Sequence, residues 1–259
     1  SVALHSGHYG NWAPDPGMQL VTLISTMRDP EGNLLIDGID DLVRPLGETA
    51  RAAIAAAPTV EEKLKEDLAL GWTEGQPTPL GVRISRPAIN LLGFSVGAVG
   101  AKAKNAISPE ARAVVGFRLV PDVTPKAIRE ATEAHIRKQG FHIVHSEPDE
   151  AVRRTHEKVL WLDWKMGYPA LWTDMDLPVS RDVARIVDGA VEGPIVLTPG
   201  MGGSLPLVVF SEILGEPPIV VVPIANHDNN QHAPNENLRL GNLWQGIEIY
   251  AALMARLGE

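Results

Sequence analysis

Four stretches of the chain carry residues whose types and spacing could do chemistry. In "HDNNQHAPNENL", His232 sits in a polar loop stiffened by Pro234, with Asn235 and Glu236 just ahead of a helix. A catalytic zinc takes about three protein ligands and keeps a position open for water, so one histidine cannot make such a site. His227 and Asp228 are near enough in sequence to share a metal with it; the plainer alternative is a solvated loop histidine. In "TPGMGGSLPLVVFSEILG" a strand runs into Gly200, Gly202 and Gly203, and Ser204 caps a helix with Pro206 in its first turn. Such glycines permit close backbone approach, and the free N–H groups with the helix dipole attract an anion. The alternative is a tight strand-to-helix turn with a capping serine. The lysine and spacing of a nucleotide-binding P-loop are missing.

The third stretch is "LHSGHYGNW", where His5 stands at a strand end and is well placed to project from a rim; the commoner alternative is a histidine that only hydrogen-bonds locally. His5 with Ser6 does not read as a serine hydrolase. Adjacent side chains point apart on an extended chain, and no nucleophile elbow surrounds them. The fourth is Arg118 with Asn105. Arginine forks onto carboxylates and an asparagine amide can hold a carbonyl or carboxylate; an ordinary ion pair on a solvated sheet face is the other reading.

The elements that must position these groups come next. The 259 residues are 44% apolar, a globular composition that suits one large domain or two average ones. A formal charge of -9 argues against a non-specific grip on nucleic acid. With no cysteine, a metal site must use nitrogen and oxygen ligands; the same absence is compatible with a cytoplasmic location, which is the one expected. Apolar runs such as "PPIVVVPI" are too short to span a bilayer, so no membrane partner is expected. The opening "SVALHSG" reads as the end of a strand, so a preceding segment is expected.

"DPGMQLVTLISTMRD" predicts a helix with Asp15 as N-cap, Pro16 in the first turn, and an apolar stripe of Leu20, Leu23, Ile24 and Met27. "APTVEEKLKEDLALGW" predicts a more polar helix ending at Gly71. "ARAVVGFRLVP" alternates as a strand does, with Val115 and Phe117 on one face and Arg112 and Arg118 on the other. Thr124-Pro125 opens a helix that Gly140 closes, and "FHIVHS" resumes as a strand. These elements imply a small α+β sandwich, one sheet covered by two helices. From about Leu162, "YPALWT", "GPIVLTPG" and "PPIVVVPI" read as strands buried on both faces of a largely parallel sheet. Leu243, Ile247, Tyr250 and Met254 predict the docking face of a terminal helix. The fold class is therefore α/β, with domains at residues 1–160 and 161–259.

Taken in order, "LHSGHYGNWAPDP", "AKNAISPEARAVVGFRLVP", "GMGGSLP" and "HDNNQHAPNENL" resemble the dinuclear-zinc peptidases and deacylases, the family of carnosinase-like dipeptidases, glutamate carboxypeptidase and aminoacylase. The resemblance covers essentially the whole chain. It implies an α+β sandwich lid, or dimerisation domain, followed by the C-terminal portion of a zinc-peptidase-type α/β catalytic domain. It also implies that the remaining metal ligands precede Ser1.

On that resemblance His232 matches the last ligand of a two-zinc centre. His5 matches a lid histidine that reaches into the partner subunit's site and stabilises the tetrahedral oxyanion. Asn105 and Arg118 match substrate-binding lid positions, and Gly203 with Ser204 matches the loop that holds the substrate backbone or carboxylate. Asn11 departs from the family's second glycine and Leu205 from its isoleucine; asparagine tolerates left-handed backbone, so the first loop is expected to survive. The implied activity is zinc-dependent hydrolysis of an amide bond in dipeptides or at C-terminal peptide residues, by a homodimer. Deacylation of N-acyl amino acids is the alternative within enzymes, and a non-catalytic dimerisation and substrate-gripping module is the competing class.

Overall fold

A computed structural model describes residues 2–202 and 207–258. The element order is β1 (Leu4–His5), α1 (Ser6–Tyr9), α2 (Pro16–Ser25), α3 (Glu48–Ala56), α4 (Glu61–Asp67), α5 (Leu80–Arg83), β2 (Ala88–Ser95), β3 (Ala106–Ile107) and β4 (Arg112–Arg118). Then come α6 (Pro125–Lys138), β5 (His142–Val144), α7 (Glu150–Thr155), β6 (Val159–Trp161), α8 (Pro178–Asp188), α9 (Leu207–Ile213) and α10 (Leu240–Arg256). The chain clusters into two compact units, one of Ser1–Arg44 with Lys65–Ala170 and one of Pro45–Leu64 with Leu171–Glu259.

In the first unit the expected elements form for the expected local reasons. Asp15 accepts from the Gly17 and Met18 amides and Pro16 enters the first turn, so α2 starts where its cap dictates. Thr124 accepts from the Ala127 amide and Pro125 begins α6; Gly140 takes φ 85° and ends it. Leu23 and Met27 meet Ile128, Ile136 and Phe141 in one buried cluster, with Val115 and Phe117 packed against it from β4.

The expected single sheet is instead three two-stranded ladders among the described residues. β1 pairs antiparallel with β3, β2 antiparallel with β4, and β5 parallel with β6. The β2–β4 register is interrupted between Leu91 and Gly93, a bulge that kinks the strand and sharpens its twist. The polar helix α4 stops at Asp67 rather than Gly71, because Ala69 already turns to φ 52°.

The interior of this unit holds one carboxylate. Glu133 accepts from Arg129 Nε at 3.0 Å, Arg137 Nη2 at 2.9 Å and Trp164 Nε1 at 3.1 Å. Burial alone would raise its pKa, but hydrogen bonds from the two guanidinium groups outweigh that and hold it below the ordinary glutamate value. Trp164 also stacks on Phe117, centroids 6.2 Å apart.

The second unit departs further from expectation. The runs expected to be parallel strands form no ladder among the described residues, and Val196, Leu197, Val220 and Val221 are exposed. An apolar run carries a strand's preference, but a strand exists only where a neighbour about 4.8 Å away takes its hydrogen bonds, and no described segment does so. The core here is Val183 and Ile186 of α8 against Ile249 and Leu253 of α10. Of the face predicted for α10, Ile247, Tyr250 and Met254 are exposed. The face that docks is Gly246, Ile249 and Leu253. No helix of the described residues is long and apolar enough to cross a membrane.

Candidate functional site

The first half of the candidate site is built by the β1–β3 ladder. Leu4 lies opposite Ile107 and His5 opposite Ala106, and the Ser6 amide donates to the Asn105 carbonyl at 3.1 Å. The backbones of His5 and Asn105 thus lie close together at one ladder end. Past His5 the chain makes a single helical turn. The His5 Nδ1 accepts from the Gly7 amide at 3.1 Å and so caps that turn. The Gly10 amide returns to the Ser6 carbonyl at 2.8 Å; a Cβ on Gly10 would lie 2.6 Å from that oxygen, so the position excludes any side chain. Asn11 adopts φ 62°, which asparagine tolerates, and the turn survives the departure noted above. The exposed His5 ring stacks on His8 with centroids 4.3 Å apart.

Arg118 ends β4 opposite Ala88. Its side chain is exposed, with no hydrogen bond or ion pair to it among the described residues. It is therefore a free cation, as a carboxylate clamp requires, whereas Arg112 on the same face is paired with Glu110 at 3.0 Å. Gly203 and Ser204 lie outside the described residues.

His232 belongs to the second unit, in a loop that its ends cinch together. Asn226, 7% exposed, is the hub. Its Nδ2 donates to Asp228 Oδ1 at 2.8 Å and to Asn237 Oδ1 at 3.2 Å, while its Oδ1 accepts from the Arg239 amide at 3.1 Å. Arg239 Nη2 completes the clasp on Asp228 Oδ2 at 2.6 Å. The hydrogen bond from Asn226 leads the effects that lower the Asp228 pKa, with Arg239 adding to it. Asn226 escaped the sequence reading, although a lone asparagine between an apolar run and a polar loop is the available signal. Inside the clasp Asn230, His232 and Asn235 take φ of 54°, 64° and 64°, and the His232 ring is exposed and makes no hydrogen bond among the described residues.

These contacts decide between the alternatives for His227 and Asp228. Asp228 is engaged by Asn226 and Arg239, with His227 Nδ1 4.0 Å away. Among the described residues no group of three or more His, Cys, Asp or Glu side chains could hold a metal ion. The residues described do not fit a zinc centre by themselves. At most His232 supplies one ligand of about three.

The sequence pattern of the peptidase dimerisation domain of the M20 type matches residues 1–143, more than half of the chain. The chain belongs to the M20 peptidase dimerisation-domain family. A Cys-Gly metallodipeptidase of Schizosaccharomyces pombe is 27% identical to this M20 chain over 265 residues, with 100% of this chain and 52% of the relative covered. A beta-Ala-His dipeptidase of Rattus norvegicus is 22% identical over 260 residues, covering 98% and 50%. Among solved structures, an M20 family metallo-carboxypeptidase from Sulfolobus solfataricus superposes with a TM-score of 0.76 at 24% identity, over 99% of this chain and 55% of that one. Human carnosine dipeptidase 1 gives a TM-score of 0.70 at 20% identity, over 98% and 52%. The mixed α/β fold is thus that of M20 peptidases, and the chain spans about half the length of the curated relatives it matches.

Proposed function

We propose that this M20 chain serves in a metal-dependent peptidase that hydrolyses the amide bond of dipeptides or of C-terminal peptide residues. Residues 1–160 are the lid and dimerisation domain, and residues 161–259 the C-terminal part of the catalytic domain. The observation that supports the reading is the β1–β3 ladder, which brings the backbones of His5 and Asn105 together at one end. The relatives named as metallodipeptidases support the reaction class.

In this reading the Nε2 of the exposed residue His5 donates to the oxygen of the carbonyl under attack, where negative charge develops and a preplaced donor contributes most. The unpaired guanidinium of Arg118 takes the substrate carboxylate, with the Asn105 amide and the Gly203-Ser204 loop holding its backbone. His5 acts across a homodimer through the lid; sedimentation of the active enzyme only as a monomer would remove that part. Zinc is the metal proposed, two ions per site, with His232 as one ligand. The described residues hold no group of three or more ligands, so the rest of such a site would have to come from outside them. A cytoplasmic location goes with this reading and is compatible with the absence of cysteine.

The test is His5→Ala in the active dimer. The expected result is kcat reduced at least a hundred-fold with KM changed little; unchanged kcat would take His5 out of the chemistry. A second reading is favoured by the lack of any three-ligand group among the described residues, namely a substrate-gripping and dimerisation module that does not itself turn over. Metal analysis tests whether the chain builds a metal site by itself. The 259-residue chain alone is expected to retain no stoichiometric zinc after dialysis at neutral pH, and to cleave no dipeptide. Tight zinc with turnover would reveal a site built from this chain. Deacylation of N-acyl amino acids uses the same groups and is distinguished by assaying both substrate classes.

A further inference from the structure

We propose that Gly7 is a positioning residue for His5, seating its imidazole and fixing which nitrogen carries the proton. The inference deepens the reading of His5 as an oxyanion donor and rests on it. Two independent features of the turn lead to it. The first is the hydrogen bond from the Gly7 amide to His5 Nδ1, 3.1 Å. A neutral imidazole has one N–H and one acceptor nitrogen. With Nδ1 accepting, the proton resides on Nε2, the nitrogen turned away from the cap, and an oxyanion donor must present that N–H. The second feature is space. A Cβ built on Gly7 would lie 3.1 Å from His5 Cε1 and 3.3 Å from Nδ1, tighter than ordinary carbon contacts.

Backbone conformation does not explain the glycine, because Gly7 is not among the residues with positive φ. The requirement for glycine comes from the ring that folds over it. The ring also stacks on His8 with planes 24° apart, so a backbone N–H holds the imidazole at one edge and a second ring packs on a face. A side chain at position 7 would lift the ring off its donor, free its rotation and release the tautomer.

The experiment uses the full 259-residue chain, 15N-labelled, at about pH 8, above the ordinary imidazole range. Two-bond imidazole correlations report which nitrogen of His5 is protonated, assigned with His5→Gln. A through-hydrogen-bond coupling between the Gly7 amide nitrogen and His5 Nδ1 reports the seat directly. The native chain is expected to show the coupling and a protonated Nε2, and Gly7→Ala to lose the coupling while core amides such as Ile39 and Ile136 keep their shifts. A protonated Nδ1 or an absent coupling in the native chain overturns the proposal, as does a coupling that survives Gly7→Ala. The native-chain measurement needs no substitution at Gly7 and stands even if Gly7→Ala fails to fold. If the coupling is found while His5→Ala leaves kcat unchanged, the catalytic reading fails and the seat remains. If the coupling is absent while His5→Ala abolishes turnover, the seat fails and the catalytic reading remains.

Discussion

Replacing Asn226 should unfasten the His232 loop, and the size and pH dependence of the effect follow from its three contacts. Asn226→Ala removes the acceptor of the Arg239 amide, a group at the start of α10 for which the helix has no side-chain cap of its own. An N–H left without a partner costs about 1–3 kcal/mol, and the low end applies because Arg239 is itself exposed. The two donated bonds go to Asp228 and Asn237, whose oxygens can turn to water, so each is worth about 0.5 kcal/mol. The sum is about 2 kcal/mol. Asn226→Asp keeps the acceptor facing Arg239 but points a second oxygen at Asp228 Oδ1 and Asn237 Oδ1, where two donor contacts stood. Burial and the neighbouring carboxylate both raise the pKa of the introduced carboxyl above its unfolded value. Its penalty is therefore present at neutral pH and disappears as pH falls below the raised folded value, because the protonated oxygen donates again. Urea unfolding of the native chain and both variants from about pH 7 to pH 4 measures this, with hydrogen exchange at the Arg239 amide as the local probe. An Asn226→Asp penalty that stays constant over the range, or an Asn226→Ala cost under about 0.5 kcal/mol, would refute the clasp.

Two further predictions concern packing and titration. Gly246→Ala in α10 places a Cβ 2.7 Å from Ile224 Cγ2 and 3.2 Å from Ile224 Cβ, atoms close to the main chain that cannot swing aside. The overpacking cost of about 1–3 kcal/mol should therefore exceed the gain of about 1 kcal/mol from helix propensity. Gly241→Ala in the same helix meets nothing within 4 Å, so urea unfolding should show it stabilising, by up to about 1 kcal/mol. His135 is buried beside Thr26, its Nε2 2.9 Å from Thr26 Oγ1, and burial lowers its pKa, against Asp37, which raises it, and with Lys138, which lowers it. The unfolded chain then binds that proton more readily, so stability is full above about pH 6.5 and falls as pH drops toward the depressed folded value. His135→Gln should flatten the profile in that window.

What the sequence discloses depends on whether the cause is local. Helices α2 and α6 were legible because Asp15-Pro16 and Thr124-Pro125 write their start signals into two adjacent residues. Strand β4 was legible because one of its faces is half-buried against the core and the other wet, which forces alternation. Its partner β2, "AINLLGFS", was missed because Leu91, Leu92 and Phe94 are exposed on a kinked strand and leave no period of two. The docking face of α10 was misassigned for a different reason. It begins at Gly246, which adds nothing to a hydrophobic pattern and works by letting Ile224 approach. The adjacency of His5 to Asn105 is a matter of ladder register between segments a hundred residues apart, and periodicity along the chain carries no trace of it. The parallel strands expected in the second unit show the converse. An apolar run states a preference, and pairing needs a neighbour.

His232 allows a stability measurement to bear on function. It sits at φ 64°, a left-handed conformation that costs an L-residue with a Cβ roughly 1 kcal/mol, and its ring is exposed and makes no hydrogen bond among the described residues that would offset the cost. A residue placed there only to make the turn would be better as glycine, or as asparagine like its neighbours Asn230 and Asn235. His232→Gly relieves the conformational strain and also loosens the unfolded chain, two effects of opposite sign. His232→Asn is the cleaner variant because it keeps a side chain and suits the left-handed region. The expected order of stability in urea is Asn at or above His, with Ala below both, since alanine keeps the Cβ penalty without asparagine's local hydrogen bonding. Such an order means that the imidazole is kept at the expense of stability, which is what a ligand or contact residue does. If His232→Asn instead destabilises by more than about 1 kcal/mol, the ring has a structural partner, and the assignment of His232 as a metal ligand loses its physical basis.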